Sequence, residues 1–153
     1  MIATECHPDT YLIRHVFGIG RKLCSHQRSK GEVINYVLNN SDAIGMIDED
    51  PDSHQPVVVT SAIILNTNGN LKLLGLKNGS HLIQISPRLE EWIYQRAKAH
   101  HMDPKLFHLP RDPDELHSIP HYERKSGYQE FITILAKKDS EIQILREWIT
   151  SKI

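Results

Sequence analysis

The sequence predicts an α/β layered fold: a mostly parallel sheet flanked by helices, with a helical C-terminal extension. Short apolar runs at 1–4, 43–47 and 81–85 alternate with segments whose apolar residues recur at helical spacing. The run at 43–47 is uninterrupted, as suits a strand covered on both faces. The resulting order of strand, helix and strand favours parallel neighbours in one layered sheet.

Each element has a local reason. Met1-Ile2-Ala3-Thr4 reads as a buried strand that ends at Glu5. Pro8 suits the first turn of a helix over 8–17, with Leu12, Ile13, Val16 and Phe17 at helical spacing and Gly18 and Gly20 at its stop. A short strand is expected near Leu23 and Cys24, inside a basic stretch. Ser29 and Glu32 have the spacing of a capping box for a helix at about 30–40, whose apolar face is Val33, Ile34, Val37 and Leu38.

Ala43 to Ile47 forms the next strand and runs straight into Asp48-Glu49-Asp50-Pro51. Val57–Leu65 is rich in β-branched residues and reads as a strand. Residues 71–76 and 81–85 flank Asn78-Gly79, a hairpin signal. Ser86 is the expected cap of the following helix, with Pro87 at its first position. Four prolines mark 103–121 as a loop, with one helical turn near 113–117. Residues 127–151 read as helical with a break near Asp139, where Ser140 and Gln143 suggest a second capping box. The organisation is a core at 1–100 with the loop and helices of 101–153 packed on it, one domain overall.

Composition narrows the function. The chain has 153 residues, 18 basic and 19 acidic, a net charge of −1. That balance disfavours a general nucleic-acid coat protein. Two cysteines, Cys6 and Cys24, make neither a disulfide framework nor a zinc pair. No signal peptide or membrane span is expected, so the sequence reads as cytoplasmic. The ten histidines are scattered and read mainly as surface or loop residues.

Carboxylates carry the chemical signal. Glu5 follows the first strand, Asp48 and Asp50 follow the strand at 43–47, and Glu90 lies one turn into the helix after 81–85. If 2–5, 43–48 and 81–86 are neighbouring parallel strands, all four acids meet at the C-terminal edge of the sheet, where open α/β folds bind ligands. Such a gathering is unfavourable without a cation. Mg²⁺ or Mn²⁺ is the expected cofactor, because hard oxygens suit these ions. Asp48 and Asp50, two apart on an extended backbone, are expected to face one ion, with Glu49 pointing away. Taken alone, Asp-Glu-Asp-Pro is also good turn composition. Lys22, Arg28 and Lys30 flank a helix start and are candidates to hold phosphate.

Glu5 after the first strand, then Asp48-Glu49-Asp50 after a later one, resembles the Toprim signature of a glutamate followed by Asp-x-Asp. Pro87-Arg88-Leu89-Glu90-Glu91-Trp92 is similar to a Leu-Glu-x-Trp element of small stand-alone bacterial Toprim-like proteins. These are related to the overcoming-lysogenization-defect nucleases. The resemblance covers roughly residues 1–95. It implies a Toprim-like fold, with Glu5, Asp48 and Asp50 as catalytic and metal residues and Glu90 as a further ligand. Cys6 stands where many such proteins have glycine, and no tyrosine is placed for strand transfer, so topoisomerase activity is not expected.

The resemblance implies metal-dependent phosphodiester chemistry on DNA or RNA, that is, a nuclease. The alternatives are a non-catalytic subunit that binds a partner ATPase, as in two-part phage-defence systems, or a nucleotide-sensing module. A homo-oligomer is a further expected partner. Ile142, Ile144, Leu145, Trp148 and Ile149 form a stripe wide enough for the chain's own core and a neighbour.

Overall fold

The computed structural model describes residues 1–153. Six strands form one sheet: β1 (Ile2–Thr4), β2 (Cys24–His26), β3 (Ile44–Asp48), β4 (Ile63–Asn68), β5 (Leu71–Gly75) and β6 (His81–Ile85). Their order across the sheet is β2-β1-β3-β6-β5-β4. The β2–β1, β1–β3 and β3–β6 pairs are parallel, and β6–β5 and β5–β4 are antiparallel. This is the expected Rossmann-like α/β arrangement. The three acid-tipped strands β1, β3 and β6 are adjacent and run the same way.

Both faces of the centre are covered, which is why β1 and β3 read as unbroken apolar runs. On one face, Ala3, Ile47, Leu74 and Leu82 pack against Val33, Ile34 and Val37 of α2 (Lys30–Leu38). A Cβ on Gly45 of β3 would lie 2.7 Å from Val33 and 2.8 Å from Leu82, so only glycine lets this helix sit so close. On the other face, Ile2, Ile44, Met46, Ile83 and Ile85 meet four helices. These are α1 (His7–Tyr11, extended by a wider turn through Leu12–Val16), α4 (Leu89–Ala99), α6 (Ser126–Lys138) and α7 (Ser140–Thr150).

Ser29 Oγ accepts the Glu32 N–H at 3.2 Å, which caps α2 as the sequence suggests; the Glu32 carboxylate returns to the Arg28 N–H at 2.7 Å. Ser29→Ala is expected to cost about 1 kcal/mol. Urea unfolding tests this: the midpoint should fall with an unchanged slope. An unchanged midpoint would show that the cap bond contributes nothing.

Some elements depart from expectation. Val57–Leu65 is not one strand. Val57–Thr60 forms a single helical turn (α3) after Pro56, with Val59 buried on the α2 side, and β4 begins at Ile63. Helix α4 starts at Leu89 rather than Pro87. The stretch before it runs beside the end of β3, where the Glu49 N–H donates to Ile85 O and the Asp50 N–H to Pro87 O. Arg88, not Ser86, is its N-cap residue. The cap of α7 is Asp139, not Ser140. Its fully buried carboxylate accepts the Ile142 N–H at 3.0 Å and holds Arg96 Nε at 2.8 Å and His100 Nε2 at 2.9 Å.

Residues 101–153, which include the short helix α5 (Pro113–His117), complete the core. Ile142, Leu145 and Ile149 are buried against the sheet side, and Trp148 packs on the same core while partly exposed. Ile142, Leu145 and Ile149 of the α7 stripe are thus used within the chain, while Ile144 and Trp148 stay partly exposed. Glu141 ties α7 to the β4–β5 turn, accepting the Asn70 N–H and the Trp92 indole N–H, both at 3.0 Å. Gly69 in that turn has a left-handed φ of 53°, and a Cβ there would strike the Glu141 carboxylate. No helix is long and apolar enough to cross a membrane.

Candidate functional site

A cavity of about 710 Å³ opens at the C-terminal ends of β1, β3 and β6. Glu5, Asp48, Asp50 and Glu90 all line it, as the parallel order requires. Glu5 leaves the bend after β1, and its Oε2 is buried without a hydrogen-bond partner. Asp48 ends β3, and its Oδ1 accepts the Leu89 N–H at the start of α4, at 3.0 Å. Glu90 stands in the first turn of α4, where its Oε1 accepts the Tyr122 hydroxyl at 2.8 Å and faces His117 Nδ1 at 3.2 Å.

Asp50 differs from expectation. Its backbone is left-handed, with φ 49°, rather than extended. Lys30 Nζ and Gln55 Nε2 bond the Glu49 carbonyl, and Gln55 also bonds the Asp50 carbonyl, which shapes the turn. Two cations hold the Asp50 carboxylate: Arg88 Nε at 3.0 Å and Lys30 Nζ at 3.5 Å. The Arg88 N–H is not aligned as a hydrogen bond, so this is a charge contact. Glu49 does point away, bonded by the Ser86 hydroxyl at 3.1 Å.

Of the three expected phosphate residues, Arg28 lines the cavity and Lys30 reaches Asp50 beside it. Lys22 stands on an exposed turn outside the lining. The structure adds residues that sequence reasoning passed over. Asp9 is buried at the base of α1, with its Oδ2 accepting the Cys6 N–H at 3.2 Å and its Oδ1 unpartnered. Glu123 is buried, and its Oε1 faces His121 Nδ1 at 3.3 Å. His7, His26, His117 and His121 all line the cavity, with His7 stacked on His26 at 4.3 Å between ring centroids.

The electrostatics are those of crowded acids short of positive charge. Burial raises the Asp48 pKa well above the usual carboxylate range, and the charges of Asp9, Glu5, Glu90 and Asp50 add to it. Burial lifts Asp9 to about 7; the Glu5 and Glu90 charges also raise it, while its Cys6 contacts oppose the shift. Burial raises Glu5 too, and the nearby Lys30 charge opposes it. The Cys6 thiol is pushed upward by burial and by Asp9, which disfavours its thiolate form.

This donor set fits a hard divalent cation. The ligand atoms are carboxylate oxygens, one of them buried and unpartnered, and excess negative charge is what a cation relieves. Glu5 and Asp48 would hold such an ion, with Glu90 beside them. Asp50, which lines the same cavity, is held by Arg88 and Lys30. The side chains converge without closing, for no three acidic, imidazole or thiol groups are drawn together into a finished ligand set. No protein-family model, curated protein or solved structure matches the chain.

Proposed function

We propose that the chain is a divalent-metal-dependent phosphodiesterase acting on nucleic acid in the cytoplasm, of the Toprim-like kind its sequence resembles. One observation carries this reading: Glu5, Asp48 and Glu90, from three adjacent parallel strands or the helix after one, face a single cavity that Arg28 and Arg88 also line. Bound Mg²⁺ or Mn²⁺ would supply an activated water and neutralise charge on a phosphate.

The chain's own residues do the rest. Arg28 is exposed at the cavity, where its guanidinium would hold a phosphate. Arg88 is poised to exchange Asp50 for a phosphate oxygen, because its present contact is an unaligned charge pair. Glu5, beside the proposed ion, is the carboxylate that would accept a proton from the attacking water and return one to the leaving oxygen. Tyr122 fixes Glu90 through a short hydrogen bond.

The test joins binding to chemistry. Calorimetric titration with Mn²⁺ should show a saturable site, and labelled DNA and RNA strands should be cut only with Mn²⁺ or Mg²⁺ present. A protein that neither binds Mn²⁺ nor cuts either polymer would overturn the reading. Binding without cutting would overturn the catalytic part and leave a metal-binding module.

A further inference from the structure

The two edges of the sheet are built differently. The β2 edge is three residues long and flanked by Arg21, Lys22, Arg28 and Lys30. Short length and cations are the usual guards against edge-to-edge pairing. The β4 edge is six residues long and pairs only with β5. Residues 56–71, Pro56 through β4 to Leu71, contain no charged side chain, in a chain that is 24% charged.

Large apolar side chains stand exposed there: Val57 at 73%, Ile63 at 69%, Ile64 at 58% and Leu65 at 50%. Beside the strand, Leu38, Val57, Ala62, Ile63 and Leu76 line an apolar groove of about 340 Å³. Its own neighbours leave this surface open, and exposed contiguous apolar surface marks interaction sites.

We propose that β4 is the interface of a homodimer, in which two copies pair antiparallel across a two-fold axis into one continuous sheet. The fold alone carries this inference, which does not depend on the chemistry of the cavity. Strand pairing about a two-fold is self-complementary, as an isologous interface must be. With pairing centred on Ile64, Ile63 of one copy lies opposite Leu65 of the other, so aliphatic groups meet aliphatic groups. An uncharged strand meets its own copy without like-charge repulsion, and it offers no charge to select a basic or acidic partner. The pairing with β5 shifts register between Ile64 and Asn66.

Sedimentation equilibrium of the full chain at tens of micromolar tests the proposal. The expected mass is twice 17.6 kDa. Ile64→Lys places a cation on the free edge and is expected to give a monomer with unchanged circular dichroism. Ile63→Lys serves as the second variant should Ile64→Lys fail to fold. Trp148→Lys, on α7, should remain dimeric. A monomeric wild type, a dimer that survives a folded edge-lysine variant, or a dimer lost in folded Trp148→Lys would each overturn the proposal, as would an open-ended aggregate.

Discussion

Asp48→Asn is expected to weaken Mn²⁺ binding by roughly a hundredfold while making the metal-free protein more stable. The loss follows from removing one charged partner of a buried ionic contact, which costs about 3 kcal/mol or more. The gain follows from the same burial. Asp48 is crowded by Asp9, Glu5, Glu90 and Asp50, and its carboxyl is held well above the usual range. An acid with a raised folded pKa stabilises the fold at low pH, and that contribution is lost as pH rises through the folded value. Above its folded pKa the charge is therefore a burden that asparagine does not carry, and the amide oxygen can still accept the Leu89 N–H. Calorimetric titration and thermal melts with and without Mn²⁺ check both halves. Wild type should gain melting temperature from Mn²⁺ and the variant little. Equal Mn²⁺ affinities in the two proteins would remove Asp48 from the metal site.

Asp9→Asn is expected to flatten the pH dependence of stability in the metal-free protein. Its pKa rises from 3.8 to about 7, chiefly through burial. At about 1.4 kcal/mol per unit, the difference is on the order of 4 kcal/mol. Its sign follows from the unfolded chain ionising first: stability is highest below the unfolded value and is lost between pH 3.8 and about 7. Raising pH across that window should lower the urea midpoint of the metal-free wild type. The variant should lose less, for it drops one buried charge and relieves Asp48 of its largest charged neighbour. A variant whose midpoint falls with pH as steeply as wild type would show that Asp9 does not hold the proton.

The sheet centre was legible because β1 and β3 are buried on both faces, so their apolar runs are nearly unbroken. The acids at their ends followed from strand direction. Asp9 was legible in principle: with Leu12 and Ile13 it shares the i, i+3, i+4 spacing of the buried face of α1. An acid in a first helical turn is so common a partner of the helix dipole that this spacing alone does not single out Asp9. The cavity wall made by Ile119, Pro120, His121, Tyr122 and Glu123 lies in a proline-rich loop with no period to read, and only tertiary packing brings it over the strands. The left-handed turn at Asp50 is likewise set by Lys30 and Gln55, which no local pattern announces.

The bond from Glu141 to the Asn70 N–H spans 71 residues of chain. It bears on how the protein is made. A ribosome delivers β5 and α4 long before α7, so Leu71 and Trp92, both fully buried in the finished molecule, wait without their final cover. The cover on this face of the sheet is thus made after the strands it covers. During that interval the nascent chain shows an apolar sheet face and the uncharged 56–71 segment together, which makes this stage of synthesis the one at which a holding chaperone has most to shield.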